Sequence, residues 1–155
     1  MNTTTTIYLS KKGMKELKKH ITQLERERLE ALLELRDLDK TEGHEERLAR
    51  IEKLAHIEVI ESELADKRMA LDNAKLFPRK RDAFRVGLGS VVELIDMGGR
   101  MMRYTIVDSL EANPSDGRIS IKSPLGQNLI GKQIQDMIEW TSGLRTNQVR
   151  LVAIG

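Results

Sequence analysis

Five carboxylates fall within ten residues, Asp37-Leu38-Asp39-Lys40-Thr41-Glu42-Gly43-His44-Glu45-Glu46, against the single cation Lys40. A cluster of this kind has the chemistry to hold a hard cation such as Mg²⁺, which takes oxygen ligands and keeps several waters. A short tip cannot close an octahedral cage alone, so a partner would have to supply the remaining ligands. A solvated helix start accounts for the same residues: acids are favoured by the helix dipole, and Asp39 or Thr41 would serve as N-cap. His44 divides in the same way, into a further ligand or a plain turn residue. Elsewhere no nucleophile–base arrangement is visible. The chain has no cysteine, which excludes thiolate catalysis, disulfides and Cys-based zinc sites. His20, His44 and His56 match no zinc spacing, and Gly126 and Gly131 lack the Lys-Ser/Thr ending of a phosphate loop.

The elements that must position the acids are legible from periodicity. Met14, Leu17, Ile21, Leu24, Ala31, Leu35 and Leu38 recur in steps of three and four, with Arg28 at the one broken position. This is a coiled-coil seam, not a wide globular face. Ser10 stands ahead of it as an N-cap. A second run, Leu48, Ile51, Leu54, Ile57, Ile60, Leu64 and Leu71, ends near Asn73, with Pro78 beyond. Gly43 lies midway between Gly13 and Asn73 and offers a positive φ for reversal. The reading is an antiparallel helical hairpin over residues 1–76, with helices of about 27 residues and about 40 Å, and its acidic tip near 37–46.

After residue 76 the regime changes. Residues 77–86 read as a basic linker with Pro78, Arg79, Lys80, Arg81 and Arg85; its charges suit phosphate contact or simple solvation. Residues 87–155 show period two. Ser90–Asp96 and Met101–Val107 flank Gly98-Gly99 as a hairpin, and Arg118–Lys122, Met137–Thr141 and Gln148–Ala153 read as further strands. Ser123-Pro124 opens a short helix that stops at Gly131. The fold class is α+β: a coiled-coil hairpin followed by a small antiparallel-sheet domain.

Charge by segment supports the division. The first 76 residues hold 15 basic and 16 acidic side chains, the linker region to residue 90 is net +3, and the remainder is neutral, for +2 overall. No apolar run is long enough to span a membrane and no secretory leader opens the sequence, so a cytoplasmic protein is expected. Aromatic residues make up only 3%.

Four stretches carry a family resemblance: Tyr8–Leu17, Leu71–Lys75, Glu111–Pro114 with Gly117–Ile121, and Ser123-Pro124-Leu125-Gly126-Gln127-Asn128-Leu129-Ile130-Gly131-Lys132. The chain resembles the bacterial GreA/GreB transcription elongation (transcript-cleavage) factors over nearly its whole length. That resemblance implies a C-terminal domain similar to the FKBP fold, docking on RNA polymerase through Ser123, Pro124, Leu125 and Gly126, and a coiled coil inserted in the secondary channel. It implies a monomer that meets nascent RNA and DNA only through the elongation complex. It further implies that the protein is no enzyme, and that tip acids help the polymerase hold a second Mg²⁺ for hydrolysis of backtracked transcripts. The family pattern at the tip is G-D-x-x-E-N followed by a further acid. Aligned on Gly43, this chain reads Gly43-His44-Glu45-Glu46-Arg47, so His44 and Arg47 stand where acids are expected. A shifted register places D-x-x-E at Asp39 and Glu42, with Glu45 and Glu46 as substitutes. Asp39 and Glu42 are thus the expected Mg²⁺ ligands, and Asp39, Glu42, Glu45 and Glu46 the acids expected to act in trans. Two other readings stay open. One is a channel-binding regulator that does not stimulate cleavage. The other is a prolyl isomerase, for which residues 84–155 offer only the aromatics Phe84, Tyr104 and Trp140.

Overall fold

The computed structural model describes residues 5–40, 43–78 and 82–155. They divide into two compact units, one of residues 12–74, the other of Thr6–Lys11 and Lys75–Gly155. Thr6–Lys11, assigned above to the hairpin, therefore groups with the sheet unit.

The helical unit contains α1 (Lys11–Leu38) and α2 (His44–Asp72), of 28 and 29 residues and each about 42 Å long at 1.5 Å per residue. In α1 the seam forms as its spacing dictates, with Leu17, Ile21, Leu24 and Ala31 buried. Arg28, the polar break, reaches across to Glu61 with Nε–Oε1 at 2.9 Å. In α2 only Ile57, Ile60 and Leu64 are buried. The expected seam residues Leu48, Ile51 and Leu54 are 52%, 64% and 47% exposed. Helical geometry supplies the reason. Each step of three residues falls about 60° short of a full turn, so three such steps from Ile57 carry Leu48 to the opposite face. The positions that continue the seam toward the tip are held instead by Lys53 and Ala49, both half-buried. Lys53 pairs with Glu34 of α1.

The second unit begins with two short paired strands, β1 (Ile7–Leu9) and β2 (Ala74–Leu76). Three-residue strands show no readable period, and neither is expected from the sequence. The main sheet comprises β3 (Val91–Asp96), β4 (Met101–Val107), β5 (Arg118–Ser120), β6 (Met137–Ser142) and β7 (Arg145–Ile154), in the order β5-β4-β3-β7-β6. The β3–β4 turn closes on Asp96, whose Oδ1 accepts the amides of Gly98 and Arg100, both at 2.9 Å. Gly99 there adopts φ +83°, a conformation that L side chains rarely take. Four strands are antiparallel neighbours as expected, but β5 joins β4 in parallel, Ile106 opposite Ile119. The excursion over residues 108–117 carries the chain back only to the level of Thr105, near the end of β4, before β5 begins in the same direction, which makes the sheet mixed.

One face of this sheet is the core. Val92, Leu94, Ile106, Ile138, Val149 and Leu151 are buried there, with Leu129 from α3 (Pro124–Leu129) against them. Trp140 packs at the margin as a core residue. Val86, expected in the linker, is also core at 3% exposure. It is held by hydrogen bonds from its amide to the Lys132 carbonyl and from the Gly131 amide to its own carbonyl.

Candidate functional site

At the tip of the hairpin two of the described acids, Asp37 and Asp39, are held in ion pairs. The last turn of α1 runs past Leu38 through an Asp39 amide bonded to the Leu35 carbonyl. Gly43, not Asp39 or Thr41, is the N-cap of α2. Its φ of −144° is extended, so the glycine's access to positive φ is not used. The absence of a side chain matters more. A Cβ on Gly43 would lie 1.8 Å from Glu46 Oε2, so the carboxylate of Glu46 folds back over the cap. Asp39 Oδ1 meets Arg50 Nε at 2.9 Å, and Asp37 Oδ1 meets Lys40 Nζ at 3.1 Å. Both pairs are well exposed, so each contributes little, about 0–1 kcal/mol. His44 and Glu45 stand exposed in the first turn of α2. Glu42 and Thr41 lie outside the described residues, as do Arg79, Lys80 and Arg81 of the linker. Among the described residues no three His, Asp or Glu side chains come together as a metal-holding group.

The second candidate surface, Ser123–Gly126, is built around a cap. Ser123 Oγ accepts the Gly126 amide at 3.1 Å and donates to the Ser120 carbonyl at 2.6 Å, and Pro124 occupies the first helical position. Gly126 is buried against backbone, where a Cβ would lie 2.1 Å from Ser120 O. Leu125 packs at the edge of the core. Pro124, with Gln127 and Asn128 behind it, faces solvent. The four residues thus divide: Ser123 and Gly126 shape the turn, Leu125 anchors it, and Pro124 is presented. The three aromatics of residues 84–155 form no common pocket. Phe84 is 80% exposed, while Tyr104 and Trp140 pack on the core.

Sequence reasoning missed a buried carboxylate. Glu111, whose side chain is fully buried, accepts the Ser10 amide at 3.0 Å and the Ser10 hydroxyl, and faces Arg118 Nη1 at 3.4 Å. Arg118 also holds Asp116 at 2.9 Å. Glu111 was visible only as part of a motif, because its partner Ser10 lies 101 residues away.

These features define a two-part α+β protein: a long helical hairpin with carboxylates at its turn, and a small sheet unit presenting a capped single-turn helix. Residues 81–155 match the family model described as "Transcription elongation factor, GreA/GreB, C-term". The chain is 35% identical to transcription elongation factor GreA of Mycoplasma pneumoniae over 137 residues, 83% of each chain. It is 31% identical to GreA of Acholeplasma laidlawii over 153 residues, 94% of each. Among solved structures it is similar to Thermus aquaticus Gfh1, with 26% identity, TM-score 0.44, and 96% and 97% of the two chains covered. The chain belongs to the GreA/GreB family of transcription elongation factors. No helix among the described residues is long and apolar enough to cross a membrane.

Proposed function

We propose that the protein acts on RNA polymerase, inserting its hairpin in the secondary channel and stimulating the polymerase's own cleavage of backtracked transcripts. The observation that carries this reading is the placement of Asp37, Asp39, Glu45 and Glu46 at the connection of two helices about 42 Å long. An arm of that length delivers carboxylates to a recessed centre that a compact domain cannot enter. Pro124, presented by the Ser123 cap, is the docking contact on the sheet unit. The protein works as a cytoplasmic monomer, is not itself an enzyme, and meets RNA and DNA only through the elongation complex.

Oxygen donors suit Mg²⁺, and Asp39 and Glu42 are the residues that would share it with the polymerase, with Glu45 and Glu46 as neighbouring substitutes. Such an ion, when bound, activates water for phosphodiester hydrolysis. What this chain contributes is the position and the freedom of its carboxylates. Arg50 competes for Asp39.

The Arg50–Asp39 pair favours a second reading, a channel-binding regulator that alters elongation without stimulating cleavage. Stalled elongation complexes of the cognate polymerase, with and without the protein, separate the two. Faster shortening of the transcript supports the first; unchanged cleavage with altered elongation establishes the second.

A further inference from the structure

The face of the sheet opposite the core leaves a row of side chains uncovered. By register, Met101 of β4 lies opposite Ile95 of β3, Ile95 opposite Arg150 of β7, and Arg150 opposite Met137 of β6. Residues directly opposite in antiparallel strands share a face, and the neighbouring row, Met102, Leu94 and Leu151, is the core face. Met101 and Met137 are 53% and 47% exposed, and Met97 in the adjoining turn is 77% exposed. Ile95, Asp96, Met97, Gly99, Met137 and Arg150 line a groove of about 300 Å³.

The charges select among occupants. Arg150 sits inside the apolar row and makes no ion pair among the described residues, and neither do Arg100 and Arg103 at its margin. Asp96 at the edge of the groove already accepts two backbone amides, and Glu93 lies opposite Arg103 by register. Methionine side chains adapt to apolar surfaces of varied shape, and a guanidinium inside such a patch is matched by a carboxylate. The exposed apolar area is on the order of a few hundred Å², short of the roughly 800 Å² per partner of a standard stable interface. A two-fold pairing would also set Arg150 against Arg150.

We propose that this row is a docking surface for a short amphipathic segment of a partner protein that carries carboxylates beside apolar side chains. It is separate from the Ser123–Gly126 contact and does not depend on the proposed cleavage function.

The test uses the full chain labelled with ¹³C at the methionine methyls. The probe is a 14-residue amphipathic peptide with leucines spaced three and four apart and flanking glutamates, compared with the same peptide carrying lysines. The expected result is saturable shifts of Met97, Met101 and Met137 with the glutamate peptide only, while Met14, Met69 and Met102 stay fixed. Arg150→Gln weakens binding about tenfold, and Arg150→Glu transfers the preference to the lysine peptide, both with an unchanged unfolding midpoint. Equal shifts with both peptides, or no shift at millimolar peptide, overturn the proposal. So do shifts that follow protein dilution, the mark of a second copy, or shifts produced instead by phosphatidylglycerol vesicles.

Discussion

Replacing Gly126 by alanine tests how the presented turn is built. The new Cβ would lie 2.1 Å from the Ser120 carbonyl oxygen and 2.9 Å from Ser123 Oγ. Ordinary contact to the carbonyl requires more than 3 Å, so backbone must move by about 1 Å. The Ser120 carbonyl accepts the Ser123 amide at 3.0 Å and its hydroxyl at 2.6 Å, and Ser123 Oγ caps the Gly126 amide. Opening the turn strains or breaks these three bonds. Net hydrogen bonds are worth about 0.5–1.5 kcal/mol each, and a serine cap about 1. Gly126→Ala is therefore expected to cost about 2–4 kcal/mol. Urea unfolding followed by Trp140, the only tryptophan, reports on this unit. Gly87→Ala is the control, because a Cβ at Gly87 meets nothing within 4 Å, and a change within about 0.5 kcal/mol is expected. A loss below about 1 kcal/mol for Gly126→Ala would refute the close-approach argument.

The corrected seam gives a paired expectation. Leu64→Ala, at 2% exposure, should cost about 2–5 kcal/mol, whereas Leu54→Ala, at 47%, should stay within about 0.5 kcal/mol by thermal unfolding of the hairpin; equal losses would restore Leu54 to the seam. Lys53→Leu, which replaces a half-buried cation in the seam, should raise hairpin stability by about 1 kcal/mol, and destabilisation would show that the Glu34 pair outweighs packing. Glu111→Ala removes the acceptor of the Ser10 amide and hydroxyl and a partner of Arg118. Its expected cost is about 2–4 kcal/mol in urea, and a neutral result would mean that water replaces the carboxylate. At the tip, Glu45→Ala should lower stimulated cleavage at least tenfold, about 1.4 kcal/mol of barrier, while Arg50→Ala should raise it by releasing Asp39; no response to either favours the non-cleaving regulator.

Much of the hairpin and of the sheet unit was already written in local order. The α1 seam, the Ser123-Pro124 opening of α3 and the Gly98-Gly99 hairpin each rest on interactions within a few residues, and all appear where their spacing puts them. α2 departs because a three-residue step advances by less than a turn. Leu48, Ile51 and Leu54 read as a stripe on paper but rotate off the contact face. β1, β2 and the pairing of β5 were illegible for another reason, since three-residue strands take their identity from distant neighbours.

The candidate site divides along the same line. Sequence alone determined that carboxylates gather at a turn between two long helices, because composition and helical period are properties of the chain. Only the tertiary structure decided which of them is engaged across the turn: Asp39 is bound by Arg50 of α2, through a contact that depends on how the helices are phased. It likewise brought Ser10 to Glu111 and aligned Met101, Ile95, Arg150 and Met137 in one row. Strand register and long-range closure set those meetings, and neither leaves a local trace in the order of residues.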